Sequence, residues 1–470
     1  MIRRAALAFL LASVMGGIPF REAARAQPLP SLTQEGLEAL TLAKESISLR
    51  SVAGPGNRTP DVAGLYRRAL IAGGFPPGAI AIARVGDTAY LVFRWAGQTH
   101  GLKPLVISGH MDVVAANPAD WTRDPFTPIV EEGYLYGRGA TDMKLSNALV
   151  ITALVNLHRH GYRPRRDIVL ALSGDEETAM VTSRILAEKL HDAGMVLNID
   201  VGGGTLDEKT GQPLYFVWSG AEKTYADYRL VVTDPGGHSS EPRARNAIDV
   251  LARALIRVET HEFTPELNAL TRSYFVNAAR LSPAPLAAAM RAFAASPGDR
   301  KAIATLRAEP SLTGMIGTTC VVTTVRGGHA LNALPQRAEA NINCRIFPGH
   351  SRRDILHELS AAIGDGSVKI TDETANSVET DASPLDPVFS SAISEAADAA
   401  FPDVPVFPGM SAGASDSMWF RQRGVPSYGA SPIFIKASDN FSHGLNERSP
   451  LSTITPGMHY FESLIPALSR

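Results

Sequence analysis

Cysteine is almost missing from this chain of 470 residues, which has only Cys320 and Cys344. Two thiols cannot form a disulfide framework, and their spacing is not that of a thiolate zinc site, so sulfur does not carry a metal. A charge surplus is missing too: 45 Lys+Arg stand against 47 Asp+Glu, a net charge of -2. Nothing supplies the basic field that phosphate backbones require, and nucleic acid is excluded as an expected partner. Past the amino terminus no apolar run is long enough for a spanning helix, and no internal repeat or low-complexity tract occurs. What remains, 45% apolar and 20% charged residues, is the composition of a globular protein. Its length calls for about two or three domains.

Residues 1–26 read as a secretory signal rather than as structure. Arg3 and Arg4 precede a charge-free stretch from Ala5 to Phe20, and Ala24-Arg25-Ala26 offers a small-residue cleavage site. Gly16, Gly17 and Pro19 make the stretch short and broken for a membrane span. The expected location is therefore secreted, in the periplasm, with no membrane attachment after cleavage. In such an oxidising compartment Cys320 and Cys344 fall in two strand-like runs, 319–325 and 338–346, symmetric about Asn332 in the intervening turn. A cross-strand disulfide is open to them, two buried free thiols being the alternative.

Short β-rich runs alternate with helical ones from residue 79, predicting an α/β fold whose mixed, largely parallel sheet carries helices on both faces. The catalytic half is expected over 27–222 and again over 381–470. From Lys223 the pattern changes to strand (225–232), helix (246–259), strand (319–325), strand (336–346), helix (352–363) and strand (367–371). That order is ferredoxin-like, so an inserted α+β domain is expected over 223–380. The stretch 264–315 has helical periodicity and is expected to enlarge this insertion.

Acids and histidines cluster where apolar strands stop. Leu105–Ser108 runs into Gly109-His110-Met111-Asp112, Ile168–Leu172 into Ser173-Gly174-Asp175-Glu176-Glu177, and Val196–Ile199 into Asp200. Open α/β sheets place their sites at such ends. His110 and Asp112, two residues apart in extended chain, share a side, so a carboxylate can hold one ring nitrogen while the other binds metal. Asp142 sits in the glycine-flanked turn Gly137–Lys144 before a helix over 145–157, where a plain helix cap is the other reading. Adjacent Glu176 and Glu177 can aim at different targets, one binding metal and one moving protons, or can be a solvated acidic helix start. His443 comes from a late Gly-containing loop, Asn440–Glu447. Two histidines and several carboxylates suit zinc at two neighbouring positions bridged by one carboxylate, an arrangement for amide hydrolysis.

In order, His110-Met111-Asp112, Gly137–Lys144, Ser173–Glu177, Gly236-Gly237-His238-Ser239-Ser240 and Ser442-His443-Gly444 resemble the signatures of the co-catalytic di-zinc aminoacylase/glutamate carboxypeptidase/dipeptidase metallopeptidase family. The resemblance implies two Zn2+ per chain, replaceable by Co2+ or Mn2+, with Asp142 bridging. His110 and Asp200 would complete one site, Glu177 and His443 the other, Asp112 would orient His110, and Glu176 would be the general base toward a metal-bridging water. It also implies that the inserted domain is a lid and a homodimer surface, that His238 polarises the carbonyl from its own or a partner chain, and that Arg345, Asn332 and Gly413 contact a substrate with a free carboxylate. That substrate would be a small peptide or an N-acyl amino acid. Asp200-Val201-Gly202 departs from the frequent Glu-Gly form and, with the 264–315 elaboration, leans toward the larger carboxypeptidase-like members.

Two rival readings differ in class. Gly409-Met410-Ser411-Ala412-Gly413 fits a nucleophile elbow, with Ser411 and His443 as a serine hydrolase pair. Pro405 and Pro408, however, argue against a central strand before it. A secreted, non-catalytic binding protein on the same fold would have lost a ligand or the base, whereas all are present.

Overall fold

The computed structural model describes residues 32–470, so the proposed signal at 1–26 lies outside the described residues. Strands Leu105–His110 and Ile168–Ser173 are buried along their whole length, as parallel strands covered on both faces must be. With Met195–Asn198 they sit inside a mixed sheet of ten strands. Period-two alternation divides their side chains: Leu105, Ile107 and Leu170 pack with helices Lys144–Arg159 and Ile454–Leu468, while Val106, Val169 and Val196 pack with Val181–Lys189 and Ser417–Gln422. Helices therefore cover both faces. The register sets Leu105 beside Ile168 and Met195, and His110 beside Ser173, so these three strands end along one edge of the sheet.

A separate antiparallel sheet of four strands takes the order Thr319–Gly327, Arg337–Ile346, Thr224–Thr233, Lys369–Asp372. Ala226, Tyr228, Leu230 and Val232 face helices Ala247–Glu259 and Arg352–Ile363 in a core of their own. Between these helices and strands the ferredoxin-like order expected from the sequence is present. Cys320 and Cys344 are a registered cross-strand pair and are bonded, with S–S 1.96 Å.

The stretch 264–315 is helical, but it does not enlarge this second core. Helices Ala269–Ala278, Ala284–Ala295 and Arg300–Arg307 bury Leu270, Phe275, Met290, Phe293 and Leu306 in the large core of the ten-stranded sheet. Leu270 packs over Gly220 and Tyr274 over Gly409, both on strands of that sheet. Periodicity identifies an apolar helix face without naming the surface it meets, which is why the sequence placed these helices with the wrong partner. The prolines before Ser411 argue against a central strand, and Val406–Ser411 is a strand but not a central one. It pairs with one neighbour only, Pro213–Glu222, and a strand bonded on one side tolerates a residue without an N–H.

Candidate metal centre

The site forms where the aligned strands stop. His110 is the last residue of its strand and is buried, its main-chain N–H on Met143 Sδ at 3.1 Å and its carbonyl accepting from Asn147 Nδ2 at 2.6 Å. After Ser173 the chain passes so close to the Ala89 carbonyl that a side chain at Gly174 would overlap it. Glycine there lets the backbone turn and deliver Glu176 and Glu177. The Asp112 carboxylate fixes that turn, accepting from Glu176 N and Glu177 N at 3.1 Å each. Its expected grip on His110 is made mainly by the main chain: His110 Nδ1 lies 3.0 Å from the Asp112 carbonyl and 3.6 Å from its carboxylate. The carboxylate oxygens are already engaged by the two backbone N–H groups. Either way Nδ1 is held and Nε2 is left for a ligand.

Asp142 lies at the centre. Its Oδ1 is 2.9 Å from His110 Nε2 and its Oδ2 is 3.2 Å from His443 Nε2, so one carboxylate faces both imidazoles. Asp200 Oδ1 stands 3.5 Å from His110 Nε2, and Glu177 Oε1 stands 3.0 Å from His443 Nε2. Asp142 is no helix cap, because the following helix is capped at Met143 with no side-chain bond. His443 takes the left-handed conformation, φ 62°, at a cost of about 1 kcal/mol for a residue with a Cβ. Among the described residues three groups have ligand atoms within 4.8 Å of one another: two triads that share Asp142, His110/Asp142/Asp200 and Asp142/Glu177/His443, and a third, His110/Glu176/Glu177, that lacks it. Glu176 belongs to neither triad that shares Asp142, and in the third group it spans the other two by reaching His110 and Glu177.

The donor set fits a pair of cations. Ligand atoms sharing one tetrahedral zinc at ~2.0–2.1 Å lie ~3.3 Å apart, close to the separations above. Four carboxylates, Asp142, Glu176, Glu177 and Asp200, crowd two imidazoles, His110 and His443. Burial pushes Glu176 well above the ordinary carboxylate range, helped by Asp200, Asp416 and Glu177, and burial also raises Glu177 and Asp200. Burial opposes charge on Asp142 as well, but hydrogen bonds from His110 and His443 hold it well below that range. The same bonds from Asp142 and Glu177 push His443 up to about 10. His110 rises against its burial through Asp200, Asp112 and Asp142.

A pH dependence follows. Above about pH 4, Glu176, Glu177, Asp200, His110 and His443 all bind protons more tightly folded than unfolded, so without metal their stabilisation is lost as pH rises. For His443 the loss runs from its unfolded value near ~6.5 up to about 10. Cations would replace those protons. The Tm of chelated protein is expected to fall between pH 5 and 9 while that of metal-loaded protein stays flatter. An equal Tm gap at both ends of the range would contradict metal binding here.

Other expected residues stand outside the triads. His238 is exposed, its Nδ1 2.7 Å from Ser240 Oγ, in a two-residue strand paired with Ala333–Leu334. Asn332 is exposed beside it, its carbonyl accepting from Ser239 N at 3.1 Å. Arg345, half-buried, lies 4.9 Å over the Tyr225 ring, and Gly413 sits in an exposed loop, its N–H on Ser411 Oγ at 3.1 Å. Ser411 thus bonds its own loop, and His443 Nε2 faces carboxylates instead, which leaves the serine pairing without geometry.

Sequence reading missed Glu447. Fully buried, it accepts from the N–H groups of Gly139, Thr141 and Asp142 at 3.0, 2.8 and 2.9 Å and pairs with Arg138 at 2.6 Å. It clasps the turn that presents Asp142. Glu447→Gln is expected to cost about 2 kcal/mol in chemical denaturation and to weaken metal affinity, since charged acceptors are replaced by a neutral one. Unchanged affinity would reduce Glu447 to a fold residue.

The family described as Peptidase family M20/M25/M40 matches residues 106–467. Over 398 residues the chain is 29% identical to probable carboxypeptidase S-like 2 of Dictyostelium discoideum, covering 80% of this chain and 73% of that one. Over 388 residues it is 26% identical to the human N-fatty-acyl-amino acid synthase/hydrolase PM20D1, covering 80% and 76%. In fold it is similar to the M20 family metallo-carboxypeptidase Sso-CP2 of Sulfolobus solfataricus, TM-score 0.69 at 20% identity over 91% and 98% of the two chains. Human carnosine dipeptidase 1 is similar at TM-score 0.63 and 16% identity, over 93% and 97%.

Proposed function

The chain belongs to peptidase family M20/M25/M40, a family of metal-dependent hydrolases, and on that premise we propose that it is a dinuclear zinc enzyme cleaving an amide beside a free carboxylate. The observation that carries this reading is the pair of triads sharing Asp142, with Glu176 beside both and in neither. His110, Asp142 and Asp200 would hold one cation, and Asp142, Glu177 and His443 the other. Bound there, two divalent cations would acidify a water and polarise the scissile carbonyl. Glu176, raised by burial, would hold the proton given up by the attacking water and pass it to the leaving nitrogen. Arg345 and Asn332 would hold the substrate carboxylate, with Gly413 lining the loop beside it. His238 would reach the carbonyl oxygen from its own lid or from a partner's.

The substrate is a small peptide or an N-acyl amino acid, a reading supported by the names of the carnosine dipeptidase and the N-fatty-acyl-amino acid synthase/hydrolase above. Export to the periplasm is supported by the pattern of residues 1–26 and by the disulfide, which an oxidising compartment preserves. A homodimer through the lid is supported by its outer strand, Thr319–Gly327, which leaves Val321 and Val325 more than half exposed. Elemental mass spectrometry of purified protein, with a ninhydrin screen of dipeptides and N-acyl amino acids, tests the proposal. Two zinc ions per chain and chelator-sensitive amino acid release are expected. No metal after zinc reconstitution together with no activity would overturn it in favour of a binding protein.

A further inference from the structure

Lys223 joins Pro213–Glu222, a strand of the large sheet, to the first strand of the lid, Thr224–Thr233. It is 1% exposed, yet among the described residues its ammonium has one partner at hydrogen-bond distance, Thr319 Oγ1 at 3.0 Å. Among the described residues neither Lys223 nor Arg345 forms an ion pair. The nearby acids are engaged elsewhere: Glu222 with Arg421 and Ser415, Asp227 with Tyr225, Asn341 and Asn343.

Strand register explains the crowding of cations. Tyr225 and Thr319 are both cross-strand partners of Arg345, and Lys223 lies two residues before Tyr225, on the same side of the chain. Lys223 and Arg345 therefore flank Thr319 from two directions. On the other side, a side chain at Gly314 would lie 4.0 Å from Lys223 Nζ and 3.2 Å from Ala412 Cβ, and Lys223 N donates to Ser411 O at 3.2 Å. The ammonium thus sits between the lid and the loop carrying Gly413. Burial and the neighbouring Arg345 charge lower its pKa to about 7. A buried cation beside a second cation and without a carboxylate destabilises the fold, and such arrangements persist where an anionic ligand completes them.

We propose that Lys223 and Arg345 together seat the free carboxylate of the substrate, the guanidinium fork taking one side and the ammonium, with unused donors, the other. The ligand class is an amino acid or peptide α-carboxylate. The proposal rests on the hydrolase reading and adds Lys223 as a determinant of specificity for the free acid over its amide.

The test compares wild type with Lys223→Met on N-acetyl-L-leucine and N-acetyl-L-leucinamide, with calorimetric binding of L-leucine to both proteins. The variant is expected to raise KM for the acid by about 10- to 100-fold with kcat within a few-fold, to leave KM for the amide unchanged, and to melt no lower than wild type. L-leucine affinity should fall by the same factor. A lower Tm with equal losses on acid and amide would make Lys223 a structural residue and overturn the proposal. If wild type cleaves neither substrate, the hydrolase reading is left to the metal analysis and the wider substrate screen, and calorimetry alone decides the seat: equal L-leucine affinity in the two proteins, including none in either, overturns it. Should Lys223→Met fail to fold, Lys223→Gln, which can keep the Thr319 bond, carries the same expectations.

Discussion

Glu176→Gln is expected to leave metal content unchanged and to lower kcat by about 100- to 10,000-fold, the range of a lost general base. Glutamine keeps the shape of glutamate and cannot accept the proton. The side chain lies outside both triads, and its main chain is fixed independently by the Asp112 carboxylate at 3.1 Å, so the ligands should not move. Elemental analysis and steady-state kinetics on the same preparation check both halves. If the variant loses metal in proportion to activity, Glu176 is a ligand and the base must be sought elsewhere.

Asp142→Ala is expected to do the opposite, removing both cations at once. Its two oxygens face His110 Nε2 at 2.9 Å and His443 Nε2 at 3.2 Å, so no other single substitution strips a ligand from both triads. Each metal should bind more than about 100-fold more weakly, because groups that merely support a ligand are already worth 10- to 100-fold. Activity should vanish with it. The fold itself should survive, since Asp142 caps no helix and its backbone N–H remains bound to Glu447 at 2.9 Å. His443→Ala, by contrast, should remove one metal of the two. Retention of one tightly held ion by Asp142→Ala would mean that the carboxylate does not bridge.

The candidate ligands were legible because the chemistry breaks a local rule. Apolar strands normally run into turn formers, and here Leu105–His110 and Ile168–Ser173 run into histidine and acids instead. Glu447 gave no such signal. Its function is to bind backbone N–H groups 305 to 308 residues away, and nothing in its own surroundings encodes them. Lys223 was equally silent, being an ordinary lysine in sequence and an unpaired buried cation only once two sheets meet around it. The helices of 264–315 were recognised as helices and assigned to the wrong core for a related reason.

By itself the sequence determined the element types, the ferredoxin-like order of the insertion and the identity of the acids and histidines at strand ends, because each of these depends on neighbours a few residues away. The tertiary structure decided which carboxylate faces two imidazoles, which core the inserted helices join and which charges lack partners. Those depend on strand register and on contacts across hundreds of residues, where a shift of one residue sends a side chain to the opposite face.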